Sequence, residues 1–224
     1  MNFKMVREKR GWTQQRAARR LGVSQGLVSQ WERGNRRPSR RLLRKLQKLG
    51  VDVDATALPF QKSVTPGSVD FVQALANLGY PGFAHVKAGT ALWNPAQVLV
   101  LALSEDMLDR RVAEGLPWLV LQYCEMDWKR VCREAKLHDL QNRLGLTVSL
   151  ACELAEKKQD AHVVHRLSGV EQELHRSMLA RQNTYCNESM TSAERNWLRE
   201  HRSAQAARWN VLSDLATEHL SYVG

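Results

Sequence analysis

Gln25, Ser29 and Gln30 carry the most specific chemistry in this chain. A side-chain amide sets a donor beside an acceptor, the pairing that reads the major-groove edge of adenine, and a serine hydroxyl can bond either kind of group. Gln25 and Gln30 lie five residues apart, about 140° around a helix, so one is placed on a base and the other on its flank. Just downstream stand Arg33, Arg36, Arg37, Arg40, Arg41, Arg44 and Lys45. Such groups contribute affinity and register on phosphates but no sequence information. The charge is localised accordingly. Residues 1–50 hold 15 Lys or Arg against 2 acids, a net of +13; the whole chain is +10, so residues 51–224 carry −3. A basic balance confined to one short segment is an electrostatic footprint for a polyanion.

The elements that must position these side chains follow from capping and spacing. Met5 to Arg10 reads as a first helix with Phe3 and Val6 inward, and Trp12 packs on the helices that follow. Thr13 is a good N-cap for a second helix, buried through Ala18 and Leu21 and ended by Gly22 in the left-handed conformation. Val23 fills the corner. Ser24 caps a third helix with Leu27, Val28 and Trp31 at helical spacing, and Gly34 stops it. Pro38 breaks the chain, and Ser39 opens a fourth helix through Leu42, Leu43, Leu46 and Leu49. Glu32, an acid at a helix C-terminus, is unfavourable to the dipole and is expected to pair with Arg16 or Arg19.

Thr13, Gln14, Ala18, Gly22, Val23, Ser24, Val28, Ser29, Trp31, Glu32, Gly34 and Pro38 stand in a pattern about 45 residues long. It resembles the lambda repressor/Cro-type (XRE-family) helix-turn-helix regulators. The resemblance implies that the third helix enters the major groove of double-stranded DNA, with Gln25, Ser29 and Gln30 facing base edges. It also implies phosphate contacts from Gln14 and Ser24 and from Arg33, Asn35, Arg36, Arg37 and Arg40. Two positions depart from the pattern: Ala17 replaces the usual Leu and thins the core, and Gly26 stands where a side chain often reads a base.

The 224 residues suffice for two domains. Residues 1–50 read as the helix-turn-helix domain, 51–68 as a linker with Leu58-Pro59-Phe60 and Thr65-Pro66-Gly67-Ser68 turn chemistry, and 69–224 as a helical interaction or dimerisation domain. The fold class is all-α: a four- to five-helix first domain plus a larger, mainly helical second domain. Ser68 is expected to cap a helix carrying Phe71 to Leu78. Asn94-Pro95 opens another, followed by Leu108–Tyr123, a helix capped by Asp127, a longer one over 137–158, one over 170–181, and one behind the Thr191-x-x-Glu194 capping box. A last helix holds Trp209, Leu212, Leu215 and Leu220. Phe83–Val86 and Thr90–Trp93 allow at most one small hairpin.

No catalytic residues, cofactor or metal are expected. His162-x-x-His165 lacks a third ligand at a recognisable spacing, and no phosphate-binding glycine loop or nucleophile motif is present. Cys124, Cys132, Cys152 and Cys186 lack paired spacing and read as free, mostly buried thiols, which with the absence of a long apolar run places the protein in the cytoplasm, on the bacterial nucleoid, with no membrane partner. Trp93, Trp118, Trp128, Trp197 and Trp209 read mostly as core, with one or two free to anchor a partner.

Residues 86–155, with Asn94-Pro95 opening a helix and Arg143-Leu144-Gly145 near its end, resemble abortive-infection (AbiEi-like) antitoxins. That resemblance implies a nucleotidyltransferase-type toxin as partner, and a first domain repressing the shared operon; such antitoxins usually start with a winged helix-turn-helix, whereas this start is Cro-like. The expectation is a sequence-specific transcription regulator, a homodimer on a palindromic operator with half-sites about 34 Å apart, acting as an antitoxin. The alternative is a stand-alone phage- or host-type repressor with a helical dimerisation or ligand-sensing domain.

Overall fold

The computed structural model describes residues 3–33, 35, 36, 39, 42, 54–61, 64, 65, 67–87, 89 and 92–220. The chain divides into two units, Met1–Gln61 and Lys62–Gly224. The boundary puts residues 54–61 with the first unit, where Ala55–Ala57 form a 3-10 turn capped by Asp54.

In the first unit, α1 (Phe3–Lys9), α2 (Gln14–Leu21) and α3 (Gln25–Glu32) surround a core of Phe3, Trp12, Ala17, Ala18, Leu21, Val28, Trp31 and Leu42. Phe3 meets Trp31 edge-on, centroids 5.9 Å apart, a favoured aromatic arrangement. The expected fourth helix, from Ser39 through Leu43, Leu46 and Leu49, lies outside the described residues apart from Ser39 and buried Leu42.

The second unit is built around one buried helix. Its elements are α4 (Phe71–Asn77), α5 (Pro95–Leu103), α6 (Arg110–Gln122), α7 (Trp128–Leu137), α8 (Gln141–Lys157), α9 (Ala161–His175), β1 (Asn183–Thr184), α10 (Ser192–His201), α11 (Ala204–Arg208) and β2 (Val211–Leu212). Short polar residues start each of these helices except α8, which follows Leu140 without a side-chain cap. Asn94 Oδ1 accepts from Ala96 N–H at 2.9 Å with Pro95 first in the helix, Asp127 accepts from Arg130 N–H at 3.2 Å, and Thr191 and Glu194 form a reciprocal capping box.

α8 is not the amphipathic helix expected over 137–158. It begins at Gln141, and from Gln141 to Ala155 every residue but Glu153 is buried, because α6, α7, α9 and α11 pack around it. Leu137 instead ends α7 and is exposed. The contacts of Gly145, Ser149 and Arg143 are among those that tie α8 to the rest. Gly145 faces the Trp209 ring so closely that a Cβ at this position would lie 2.2 Å from Cε3. Trp209 is fully buried, and its Nε1–H donates to Ser149 Oγ at 2.7 Å. One turn back, the buried Arg143 guanidinium donates to the carbonyls of Thr184 (2.9 Å), Leu103 (2.8 Å) and Glu105 (3.1 Å) and pairs with Glu188 at 2.7 Å.

Other boundaries also differ from the sequence reading. Asp70, not Ser68, caps α4: its carboxylate accepts from Gln73 N–H at 2.9 Å, while Ser68 donates to Thr65 O. The helix expected over 170–181 starts nine residues earlier, behind Asp160, which caps Val163 N–H, and ends at His175. The last helix breaks after Arg208, where Asn210 takes a positive φ of 52° and β2 pairs with β1 in parallel, Asn183 opposite Val211. The segment Phe83–Val86, which the sequence allowed as one strand of a small hairpin, is not extended: Pro81–Phe83 are a 3-10 turn and 84–87 are turn and irregular, while Thr90 and Ala91 lie outside the described residues. The fold is all-α with this two-residue parallel pairing as the sheet among the described residues. None of their helices is long and apolar enough to cross a membrane. All four cysteines are free, with Cys132, Cys152 and Cys186 buried.

Candidate nucleic-acid interface

The three residues Gly22-Val23-Ser24 set the angle between α2 and α3. Thr13 Oγ1 accepts from Arg16 N–H at 3.1 Å and opens α2. Gly22 ends it at φ 67°, ψ 44°, donating back to Ala18 and Arg19 carbonyls, a conformation a Cβ would disfavour. Val23 N–H also returns to Ala18 O at 3.0 Å. Ser24 Oγ then accepts from Leu27 N–H at 3.3 Å and starts α3. Ala17, the short residue that departs from the family pattern, is fully buried in this core.

With Val28 and Trp31 turned inward, α3 presents Gln25, Gly26 and Gln30 to solvent and Ser29 at half exposure. Positions 25 and 29, and 26 and 30, are each one turn apart, so the four form one patch. Apart from its chain neighbours and its own helix backbone, no atom of the described residues lies within 4 Å of where a Gly26 Cβ would stand, which leaves bare backbone between the two amides. The N–H groups of Gln25 and Gly26 lie in the first turn, where helix geometry gives them no intrahelical acceptor, and they face the end that favours anions. Arg33, Asn35 and Arg36 follow on the exposed side, with Asn35 N–H donating to Gln30 O at 3.0 Å. Lys4, Arg10, Arg16, Arg19 and Arg20 are exposed as well. Arg37, Arg40, Arg41, Arg44 and Lys45 lie outside the described residues, as do Gly34, expected to stop the third helix, and Pro38, expected to break the chain after it.

Glu32 corrects the sequence reading. Its partner is neither Arg16 nor Arg19, which are exposed on α2, but Arg7 on α1: Arg7 Nε to Glu32 Oε1 is 2.6 Å, with the two side chains only 11% and 6% exposed. Gln14 Nε2 donates to Glu32 Oε2 at 2.8 Å. Burial acts to raise the Glu32 carboxyl, but hydrogen bonds from Arg7 and Gln14 and the Arg7 charge outweigh it and hold the carboxyl below its usual range. One carboxylate thus joins all three helices behind the exposed patch. Arg7 is 25 residues from Glu32 and follows no local spacing rule.

Gln14 has a second consequence here. With one amide hydrogen on Glu32, its other amide hydrogen and its backbone N–H remain as donors toward solvent. The Ser24 oxygen serves as the cap, leaving the hydroxyl hydrogen to donate. Around Trp12 the guanidinium carbons of Arg10 and Arg20 lie 5.5 and 4.9 Å from the ring centroid, cation–π contacts that the sequence reading did not foresee.

Replacing Glu32 by Ala leaves the half-buried Arg7 without its acceptor. The first unit should lose about 2–3 kcal/mol, the range for hydrogen bonds to charged groups, measured by urea unfolding. Since the folded carboxyl sits below its unfolded value, this contribution is present above the unfolded pKa and lost as pH falls through the folded one. An unchanged midpoint in the Glu32→Ala chain, or equal loss at acid and neutral pH, would count against the arrangement.

Residues 3–52 match the family described as Helix-turn-helix. Neither the curated proteins nor the solved structures hold a match to the chain. The first unit is accordingly a Cro-type (XRE-family) helix-turn-helix domain, a DNA-binding domain of transcription regulators. That family is not an enzyme family, and the match leaves the rest of the chain uncovered.

Proposed function

We propose that this protein is a sequence-specific transcription regulator that places α3 in the major groove, reading bases with Gln25, Ser29 and Gln30. The observation that carries this reading is the α3 patch: two exposed amides and a hydroxyl beside bare backbone at Gly26, on a helix whose other face is locked into the core by Val28 and Trp31. Backbone contacts come from Gln14 and Ser24 at the helix starts and from Arg33, Asn35, Arg36, Arg37 and Arg40 beyond α3. With Gly26 offering no side chain, discrimination is concentrated in few contacts. Gln30→Ala is therefore expected to lower the preference for the selected operator over random duplex by about 1–3 kcal/mol. The measurement is competitive anisotropy titration on duplexes selected from a random library. Equal loss on operator and random DNA would remove Gln30 from base reading.

A module of this size reads few base pairs, so the protein acts as a homodimer on a palindromic operator, with the second unit as dimer maker. The finer biological reading is an antitoxin that represses its own promoter and neutralises a nucleotidyltransferase-type toxin, in the cytoplasm on the nucleoid. Its support is the resemblance of residues 86–155, including Arg143-Leu144-Gly145. The test is co-purification with the product of the adjacent gene, together with footprinting of the shared promoter. A protected promoter without a co-purifying partner would favour a stand-alone repressor.

A further inference from the structure

The second unit brings His162 beside the sequence neighbours Cys124 and Glu125, a meeting that sequence spacing does not show. Cys124 and Glu125 sit in the loop between α6 and α7, and His162 is the second residue of α9. One donor atom from each lies within 4.8 Å of the others. His162 Nε2 lies 3.6 Å from Glu125 Oε1. The loop is held from both sides: Met126 N–H donates to Tyr123 O at 2.9 Å, and the Trp128 indole N–H donates to Cys124 O at 2.6 Å. Asp160 caps the start of α9 and fixes where His162 emerges.

Cys124 differs from the other three cysteines. Cys132, Cys152 and Cys186 are buried, and burial pushes the Cys132 and Cys186 thiols up to about 11 and about 12. Cys124 is half exposed, and its thiol is raised by burial and by the carboxylates of Glu125 and Asp160. The donor atoms of Cys124, Glu125 and His162 form a partly exposed cluster that a cation can reach. The competing cation is Arg166, whose Nε lies 3.6 Å from Glu125 Oε2, an exposed and weak pairing.

We infer that Cys124, Glu125 and His162 form a site for a divalent transition-metal ion of the zinc class. Sulfur, nitrogen and oxygen donors together suit Zn²⁺ and its neighbours rather than Mg²⁺ or Ca²⁺, which take oxygen. Bond lengths near 2.0–2.3 Å place tetrahedral donors about 3.3–3.8 Å apart, so a small closure of exposed side chains completes the set. Three protein ligands leave one position for water. The His162-x-x-His165 spacing is thus not the relevant pair: His162 works with the loop, and His165 lies one turn further along α9. Binding joins the start of α9 to the α6–α7 loop, giving the second unit a metal input independent of the DNA-reading patch.

The test uses the full chain, freed of metal and kept reduced, titrated with Co²⁺ and then with Zn²⁺ in competition with a chromophoric chelator. A thiolate-to-cobalt charge-transfer band at one equivalent, displaced by Zn²⁺, is the expected result. Cys124→Ser should abolish that band, and His162→Ala or Glu125→Gln should weaken Zn²⁺ binding about tenfold or more. His165→Ala should leave both unchanged. All four substitutions fall on partly or fully exposed side chains, and circular dichroism with thermal melts establishes that each variant folds. Absence of the band in the folded parent, its persistence in folded Cys124→Ser, or equal losses in His165→Ala and His162→Ala would each overturn the site.

Discussion

Trp209→Ala is expected to destabilise the second unit by about 3–5 kcal/mol, the range for emptying a buried aromatic site. Trp209 is fully buried, its ring lies against Gly145 of α8, and its indole N–H is the donor to Ser149. The other side of the contact gives a sharper test. A methyl at Gly145 would stand 2.2 Å from Trp209 Cε3 and 2.4 Å from Cδ2 and Cζ3, and a ring sealed in the core has little room to retreat. Gly145→Ala should cost about 1–3 kcal/mol by overpacking. In the Trp209→Ala background the same substitution fills emptied space and should cost much less. The two substitutions should thus be strongly non-additive in urea unfolding. Additive losses would mean that ring and glycine do not touch.

The second large effect is at Arg143. Its guanidinium satisfies three backbone carbonyls on two segments, at Leu103 and Glu105 and at Thr184, and pairs with Glu188. Arg143→Met keeps the stem but removes every donor, leaving buried acceptors unpaired; a loss of about 3 kcal/mol or more is expected. Arg143→Lys should recover little of it, because an ammonium cannot reach acceptors arranged for a planar fork. The acid limb adds a check. Burial pushes the Glu188 carboxyl up, but the Thr184 hydroxyl, Arg143 and Arg195 outweigh it and hold the carboxyl below its usual range. Stability from Glu188 is therefore present above its unfolded pKa and lost as pH falls through the folded value. Arg143→Met should flatten that loss. Retained acid sensitivity with unchanged stability would show that the fork is dispensable.

Local chemistry was legible in the sequence. Thr13, Ser24, Asn94, Asp127 and Thr191 each cap the helix they were assigned, because a cap needs only the residue and the N–H groups two or three positions on. The turn at Gly22 and the inward Val28 and Trp31 were readable for the same reason. Long-range features were not. The spacing of Trp209, Leu212, Leu215 and Leu220 mimics a helix, but those residues are buried by a turn at Asn210 and a strand paired with a segment 28 residues earlier. α8 hides its period because neighbours cover every side. At the interface, the exposure of Gln25 and Gln30 followed from the pattern, whereas the Arg7–Glu32–Gln14 cluster did not. Among the tryptophans, Trp118, Trp128 and Trp209 are core, while Trp197 is 53% exposed and stacks on His201, which composition alone does not tell.

The most direct measurement is site-specific photo-crosslinking of the full chain to a selected duplex, with the reactive side chain placed in turn at Gln25, Gln30 and Glu8. Crosslinks to bases on one major-groove face are expected from positions 25 and 30, and none to bases from the exposed position 8 on α1. Base crosslinks from position 8 matching those from 25 and 30, or none from either glutamine position on a duplex the protein binds, would contradict the placement of α3 in the major groove.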